Sequence, residues 1–157
     1  MLVCEHSEDG ALGLVLNRTG ELTVGDAAPE LAELAGEDAT IDVGGPVQPD
    51  ALLVLAEFDD VSQAGLCVVE NVGLVGDGSE IEDLIETTGR VRTFAGYAGW
   101  GPGQLDAELE NEDWFVAPAG VDDIFNPDAD ALWARVLARK GGHFALVARM
   151  PIDPSVN

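Results

Sequence analysis

The chain has 157 residues, 46% of them hydrophobic, which fits one domain whose core removes roughly two-thirds of the unfolded surface from water. Thirty acidic against seven basic side chains give a formal net charge of −23. That field repels polyanions over about 8 Å at physiological salt and argues against direct nucleic-acid binding, which normally uses several Lys or Arg contacts to phosphate.

Residues 2–4 read as a strand, Ser7-Glu8-Asp9-Gly10 as a hairpin turn in which Asp-Gly is the signal, and residues 11–16 as the return strand. Met1-Leu2-Val3-Cys4 runs straight into Glu5, so no signal peptide is expected. Thr23 and Asp26 are spaced as a capping box for a helix whose apolar face is Leu31, Leu34 and Ala35. Pro29 is an alternative first-turn residue, and Gly36 a stop. Residues 41–43 form a strand leading into Gly44-Gly45-Pro46, and 52–56 and 66–69 are further buried strands. A second helix spans 79–87, with Ser79 and Glu82 as its capping box, Ile81, Leu84 and Ile85 as its buried face, and Gly89 as its end.

Residues 91–95 are a strand, 96–103 a loop, 104–111 a helix with Leu105 and Leu109 inward, and 114–117 another strand. The last helix is capped by Asp128 or Asp130 and buries Leu132, Trp133, Val136 and Leu137. Its Arg135, Arg139 and Lys140 sit where the helix dipole favours cations. Gly141-Gly142 ends it, and 144–150 form the final strand. Mixed elements without strict βαβ alternation, joined by several hairpin-length links, predict an α+β fold with a mixed, largely antiparallel sheet. No apolar run approaches the roughly 18 residues of a membrane helix, so no membrane association is expected. Cys4 and Cys67 each lie in an apolar run and are expected as buried, unpaired thiols in a cytoplasmic protein.

Four segments carry a family resemblance: 5–18, which contains Glu5-His6 and ends on Asn17-Arg18; Val43-Gly44-Gly45-Pro46-Val47-Gln48; Phe94-Ala95-Gly96-Tyr97-Ala98-Gly99-Trp100-Gly101-Pro102-Gly103-Gln104-Leu105; and Leu132-Trp133 through Gly141-Gly142 to the chain end. In this order they resemble the YqgE/AlgH family over nearly the whole chain. The resemblance implies one domain over 1–157, with a bifurcated sheet curled into a pseudo-barrel and helices packed around it. It also implies a strand-and-loop segment ahead of Glu5-His6, whereas this sequence starts almost at that motif; the expectation is either a misassigned start or one missing strand. A missing strand there is expected to leave a sheet edge open. The resemblance implies no activity beyond a family label of transcriptional regulator.

The candidate ligand-binding residues fall in three places. Gly96, Tyr97, Gly99, Trp100, Gly101, Gly103 and Gln104 lie on a glycine-rich stretch between a strand and a helix, where backbone approaches closely and an aromatic ring can stack. The spacing is neither a Walker loop nor a dinucleotide fingerprint, and the plainer reading is a corner packed by Trp100. Gly44, Gly45, Pro46 and Gln48 form a second tight loop. Asn17 and Arg18 close the first hairpin, and in so acidic a chain Arg18 is expected to pair with a carboxylate.

No catalytic set is found. His6 and His143 lack metal-ligand spacing, and no serine lies in Gly-x-Ser-x-Gly. No cofactor and no metal are expected. The leading expectation is therefore a non-catalytic binding or regulatory protein acting on a protein partner. The alternative is a small-ligand protein or enzyme with a pocket between residues 44–48 and 96–104.

Overall fold

The computed structural model describes residues 1–148. Strands β1 (Leu2–Ser7) and β2 (Gly10–Leu14) form the hairpin set by Asp9-Gly10. β3 (Thr19–Thr23) leads into α1 (Val24–Ala27), where the Asp26 amide donates to Thr23 Oγ1 at 3.2 Å and the Thr23 hydroxyl to Asp26 at 2.9 Å. Thr23 thus caps the first turn, but the helix expected to carry Leu31, Leu34 and Ala35 on from this cap is broken after Ala27. A 3-10 turn opened by Pro29 and the short α2 (Ala32–Ala35) follow, ended by Gly36.

β4 (Thr40–Val43) precedes the long β5 (Val47–Phe58), then β6 (Leu66–Val69) and β7 (Val72–Leu74). After α3 (Ile81–Thr87), β8 (Thr88–Trp100) crosses the whole molecule. The helices α4 (Gln104–Glu110), α5 (Val121–Ile124), α6 (Ala129–Lys140) and α7 (Phe144–Val147) complete the described chain.

The sheet runs β1-β2-β8-β5-β7-β6 with antiparallel neighbours throughout. One edge of β8 serves two partners. Its end, Ala98 to Trp100, pairs with β2, and its middle, Thr93 to Ala95, pairs in parallel with β4, which in turn carries β3. The sheet therefore forks at β8, and β1 curls round against β6 so that the barrel is nearly closed. This is the mixed, bifurcated pseudo-barrel expected.

Alternation along β5 explains the two cores. Leu55 faces a cluster with Leu14, Val72, Phe94, Ile124 and Leu132, while Ala56 and Phe58 face Leu84 on the other side. Burial on both faces is why β5 reads as a continuous apolar run.

A buried ion pair joins the fork to the helices. Arg92 Nε and Nη2 both donate to Asp42 Oδ2, at 2.9 and 2.5 Å, with the two side chains 15% and 7% exposed. The same guanidinium donates to the carbonyls of Ile124 and Leu16 and lies 4.9 Å from the centroid of the Phe94 ring. One side chain of β8 thus holds β4, the end of the first hairpin and α5.

Several local expectations are corrected. The glycine-rich stretch is not a loop from residue 96: β8 continues to Trp100, because β2 supplies a ladder for it. Residues 114–117 form no strand, and 144–147 are helical rather than the start of a strand. Residues 149 and 150 of that expected strand lie outside the described residues. β3 and β7 were not anticipated. Ser79 does not cap α3, since its hydroxyl donates to the Gly76 carbonyl and Glu80 occupies the cap position. Gly89 lies inside β8 rather than at a helix end. Cys4 is buried, and its thiol is pushed up to about 12 by desolvation, but Cys67 is exposed. Trp133 and Ile85 are exposed rather than buried.

Truncating one partner of the buried pair leaves the other charge without its counterion, so Asp42→Ala is expected to cost about 3–5 kcal/mol, read as a lower urea midpoint. The double variant Asp42→Leu/Arg92→Met is expected to recover much of that loss, since apolar replacement of a whole pair is tolerated. An unchanged midpoint in Asp42→Ala would show that the pair does not hold the fork.

Candidate functional site

The two glycine-rich motifs meet, and they meet as packed backbone. A Cβ on Gly44 would lie 2.2 Å from the Gly96 carbonyl oxygen, and one on Gly45 2.2 Å from the Tyr97 carbonyl carbon. Gly96 has φ +66 and would push a side chain onto the Gly45 and Val47 carbonyls. Glycine is required here because two chains cross at contact distance. The Gly44 amide donates to the Ala95 carbonyl, and the Val15 amide to the Gly44 carbonyl, so the crossing also closes the fork. Pro46 and Gln48 are exposed beyond it, and the Tyr97 ring lies beside Gly99. The space that a pocket between residues 44–48 and 96–104 would need is filled by main chain at the crossing.

Trp100 and Gln104 belong to a different place. The Gly101 amide donates to Gln104 Oε1 at 3.1 Å, and Gly103, in the left-handed region, starts α4. Glu108, one turn further on, accepts from Trp100 Nε1 (2.9 Å), Trp114 Nε1 (2.8 Å) and Gln104 Nε2 (3.0 Å). The two indoles stand edge to face with centroids 6.1 Å apart. Hydrogen bonds from Trp114 first, then Trp100 and Gln104, hold the Glu108 carboxyl below the usual range. The Gln104–Glu108 spacing of four residues was a visible signal for this cluster. His6 meets Asp106 on the same helix at 3.2 Å.

From Trp114 the chain runs as an irregular, exposed apolar strip. Trp114, Phe115 and Val116 are 40%, 53% and 60% exposed. Phe115 touches the Phe144 ring edge to face at 5.1 Å, and Lys140 donates to the Val116 carbonyl. Glu110, Glu112 and Asp113 precede the strip and are exposed.

The remaining sequence candidates, Asn17 and Arg18, line a cleft of about 640 Å³ together with Thr19, Val43 and residues 127–130 at the start of α6. A narrower recess of about 270 Å³ continues from it, sharing Thr19, Pro127 and Ala129, and reaches Asp42, Arg92, Thr93 and Asn126. Arg18 has no carboxylate within ion-pair distance among the described residues, against the expected pairing. Thr93 Oγ1 and Asn126 Nδ2 are buried without hydrogen-bond partners, and both residues line the recess. Each such orphan costs about 1–3 kcal/mol. Asn126 Oδ1 accepts from the Asp128 amide at 3.0 Å, which fixes the amide nitrogen as the free end. Neither Thr93 nor Asn126 carries a sequence signal; only the fold brings them to one recess.

The other bases are held by acids. Arg90 pairs with Glu57 and Asp122, and Arg135 and Arg139 pair with the buried Asp123. The Asp123 carboxyl is held low by Arg139 above all, while the Gly120 amide and Arg135 also donate to it. Among the described residues no group of three or more His, Cys, Asp or Glu is placed to hold a metal ion. No helix among them is long and apolar enough to cross a membrane.

The family model described as AlgH-like matches residues 1–145. A UPF0301 protein of Streptomyces coelicolor is 40% identical over 163 residues, spanning 100% of this chain and 84% of that protein. One from Thermobifida fusca is 40% identical over 166 residues, spanning 99% and 84%. Among solved structures, a Corynebacterium diphtheriae protein superposes with TM-score 0.85 at 28% identity, covering 95% of this chain and 81% of that one. The AlgH protein of Pseudomonas aeruginosa superposes with TM-score 0.71 at 28% identity, covering 96% and 83%. The chain belongs to the AlgH-like family.

Because the folded Glu108 carboxyl titrates below an unfolded glutamate, its cluster stabilises at neutral pH and is lost as pH falls through the folded value. Tryptophan emission is expected to step at a pH below the ordinary glutamate range. Glu108→Gln is expected to remove that step, leaving Trp133 as an insensitive background. A step of the same midpoint in the variant would assign it to other carboxylates.

Proposed function

We propose that this member of the AlgH-like family is a non-catalytic binding protein of the cytoplasm that acts through protein contacts at the strip Trp114-Phe115-Val116. The observation that carries the reading is three successive large apolar side chains, each 40–60% exposed, on a segment with no strand partner among the described residues. Contiguous apolar surface of this kind marks interaction sites in folded proteins. Trp114 is oriented by Glu108 and Phe115 by Phe144, so part of the face is preorganised.

The acids ahead of the strip define the partner's chemistry. Glu110, Glu112 and Asp113 border the apolar side chains on a chain of net charge −23. The complement is a protein segment with an aromatic or aliphatic anchor flanked by Lys or Arg. Duplex DNA does not fit, since Arg90, Arg92, Arg135 and Arg139 are each engaged by carboxylates. A regulatory role is therefore exercised through a protein, not through direct operator binding. Two unpaired cysteines support the cytoplasmic assignment.

Selection from a random peptide library on the immobilised protein is expected to enrich sequences with an apolar anchor beside basic residues. Binding of the enriched peptides is expected to weaken about tenfold or more in Phe115→Ser/Val116→Ser and to fall with added salt. Enrichment without basic or apolar bias, or equal binding by the variant, would remove the reading. Saturable binding of a labelled duplex at low salt would restore the nucleic-acid alternative.

A further inference from the structure

We infer that the strip Trp114-Phe115-Val116 is covered by the end of this same chain, residues 149–157, which a partner must displace. The inference rests on the reading of the strip as a docking face and adds its regulation. Three elements frame the strip. α4 precedes it, Lys140 at the end of α6 donates to the Val116 carbonyl, and the Phe144 ring of α7 meets Phe115 edge to face at 5.1 Å. α7 itself leaves Leu146 66% exposed. Successive large apolar side chains left open to water mark a face that another segment covers.

The point at which the chain leaves α7 selects the occupant. Ala148 caps α7 one turn after Phe144, about 6 Å along the axis at ~1.5 Å per residue. Nine residues follow it. At up to about 3.3 Å per residue they span about 30 Å, well beyond the distance back to the contact of Phe144 with Phe115. Their composition is what the strip asks of a partner. Arg149 supplies a cation for the border of Glu110, Glu112 and Asp113, and Met150 and Ile152 supply apolar anchors beside it.

Tethering favours this occupant over the others. A short linker gives an effective concentration on the order of 1 mM, so even a contact with a Kd of about 0.1 mM is closed about nine-tenths of the time. A second copy brings another net charge of −23 to the same place, which opposes pairing. A separate protein meets the strip only while the segment is away, and its apparent affinity falls by that fraction. The partner that succeeds is one with a larger anchor or more basic charge than Arg149, Met150 and Ile152 provide.

The test is NMR of the whole chain labelled at methionine and isoleucine methyls, at two protein concentrations. Met150 and Ile152 methyls are expected to show nuclear Overhauser contacts to the Trp114 or Phe115 ring at both. In Phe115→Ser/Val116→Ser their signals are expected to move to the positions of a free peptide of residues 149–157. In Met150→Ser/Ile152→Ser the Trp114 indole signal is expected to shift, and peptides selected on the immobilised protein to bind about tenfold more tightly than to wild type. Contacts seen only at the higher concentration would overturn the inference in favour of a second copy. No contacts, with selected peptides binding wild type and Met150→Ser/Ile152→Ser equally, would overturn it and leave the docking face intact. Peptides that bind neither protein would overturn the docking face, and the regulation with it.

Discussion

Arg92 and Asp42 meet at the point where the sheet divides, and among the described residues the division has no other buried ion pair. β8 passes from one partner, β4, to another, β2, along a single edge. A fork of this kind leaves a wedge in which main-chain groups lose their ladder. The Leu16 carbonyl is one such group and the Ile124 carbonyl is the free end of α5, and Arg92 donates to both while holding Asp42. A buried ion pair costs several kcal/mol of desolvation per ion and repays it only when the remaining donors and acceptors are satisfied. Arg92 meets that condition with four hydrogen bonds and an aromatic face. The glycine crossing depends on the same fork, since Gly44 reaches Ala95 and Val15 only if β4 is held against β8.

The allocation of the other bases follows from scarcity. With seven bases against thirty acids, each cation has many possible partners, and the fold concentrates them on one short element. Arg90, Arg135 and Arg139 hold the side chains of α5, and Arg92 holds its last carbonyl. A four-residue helix has little stability of its own; these contacts supply it. The consequence for function is electrostatic. Arginines that a sequence scatters are gathered in space, yet they present ion pairs rather than a cationic stripe. The remaining surface keeps its anionic character, which favours basic partners and disfavours nucleic acid.

Most of the architecture was readable because it rests on local signals. Asp9-Gly10 sets the hairpin, Thr23–Asp26 a cap, and the spacing of Leu132, Val136 and Leu137 the inner side of α6. The failures share a cause: tertiary context overrode propensity. Glycines 96, 99 and 101 suggest a loop, but a neighbouring strand pairs as far as Trp100. Residues 114–117 have strand composition and find no ladder. Thr19–Thr23 has one exposed large apolar residue, Leu22, and little alternation, so β3 is defined by its partner β4 alone. The site was less legible. Asn17 and Arg18 were visible as an unusual polar pair at a hairpin end, whereas Thr93 and Asn126 are common residue types that carry no signal.

Whether a buried polar group finds a partner is decided position by position along β8. Arg92 and Thr93 are adjacent, buried and polar; the first has every side-chain nitrogen engaged, and the second has none of its capacity used. A fold able to satisfy a guanidinium at the fork is not short of acceptors in general. The Thr93 hydroxyl could be removed by one methyl-for-hydroxyl exchange that relieves the cost of an unpaired group. Alternation puts the two on opposite faces, so the guanidinium reaches α5 while the hydroxyl lies on the side of Ala56 and Leu84. The apolar strip follows α4, on residues that the Arg92–Asp42 pair does not bond, so it can change without disturbing the fork.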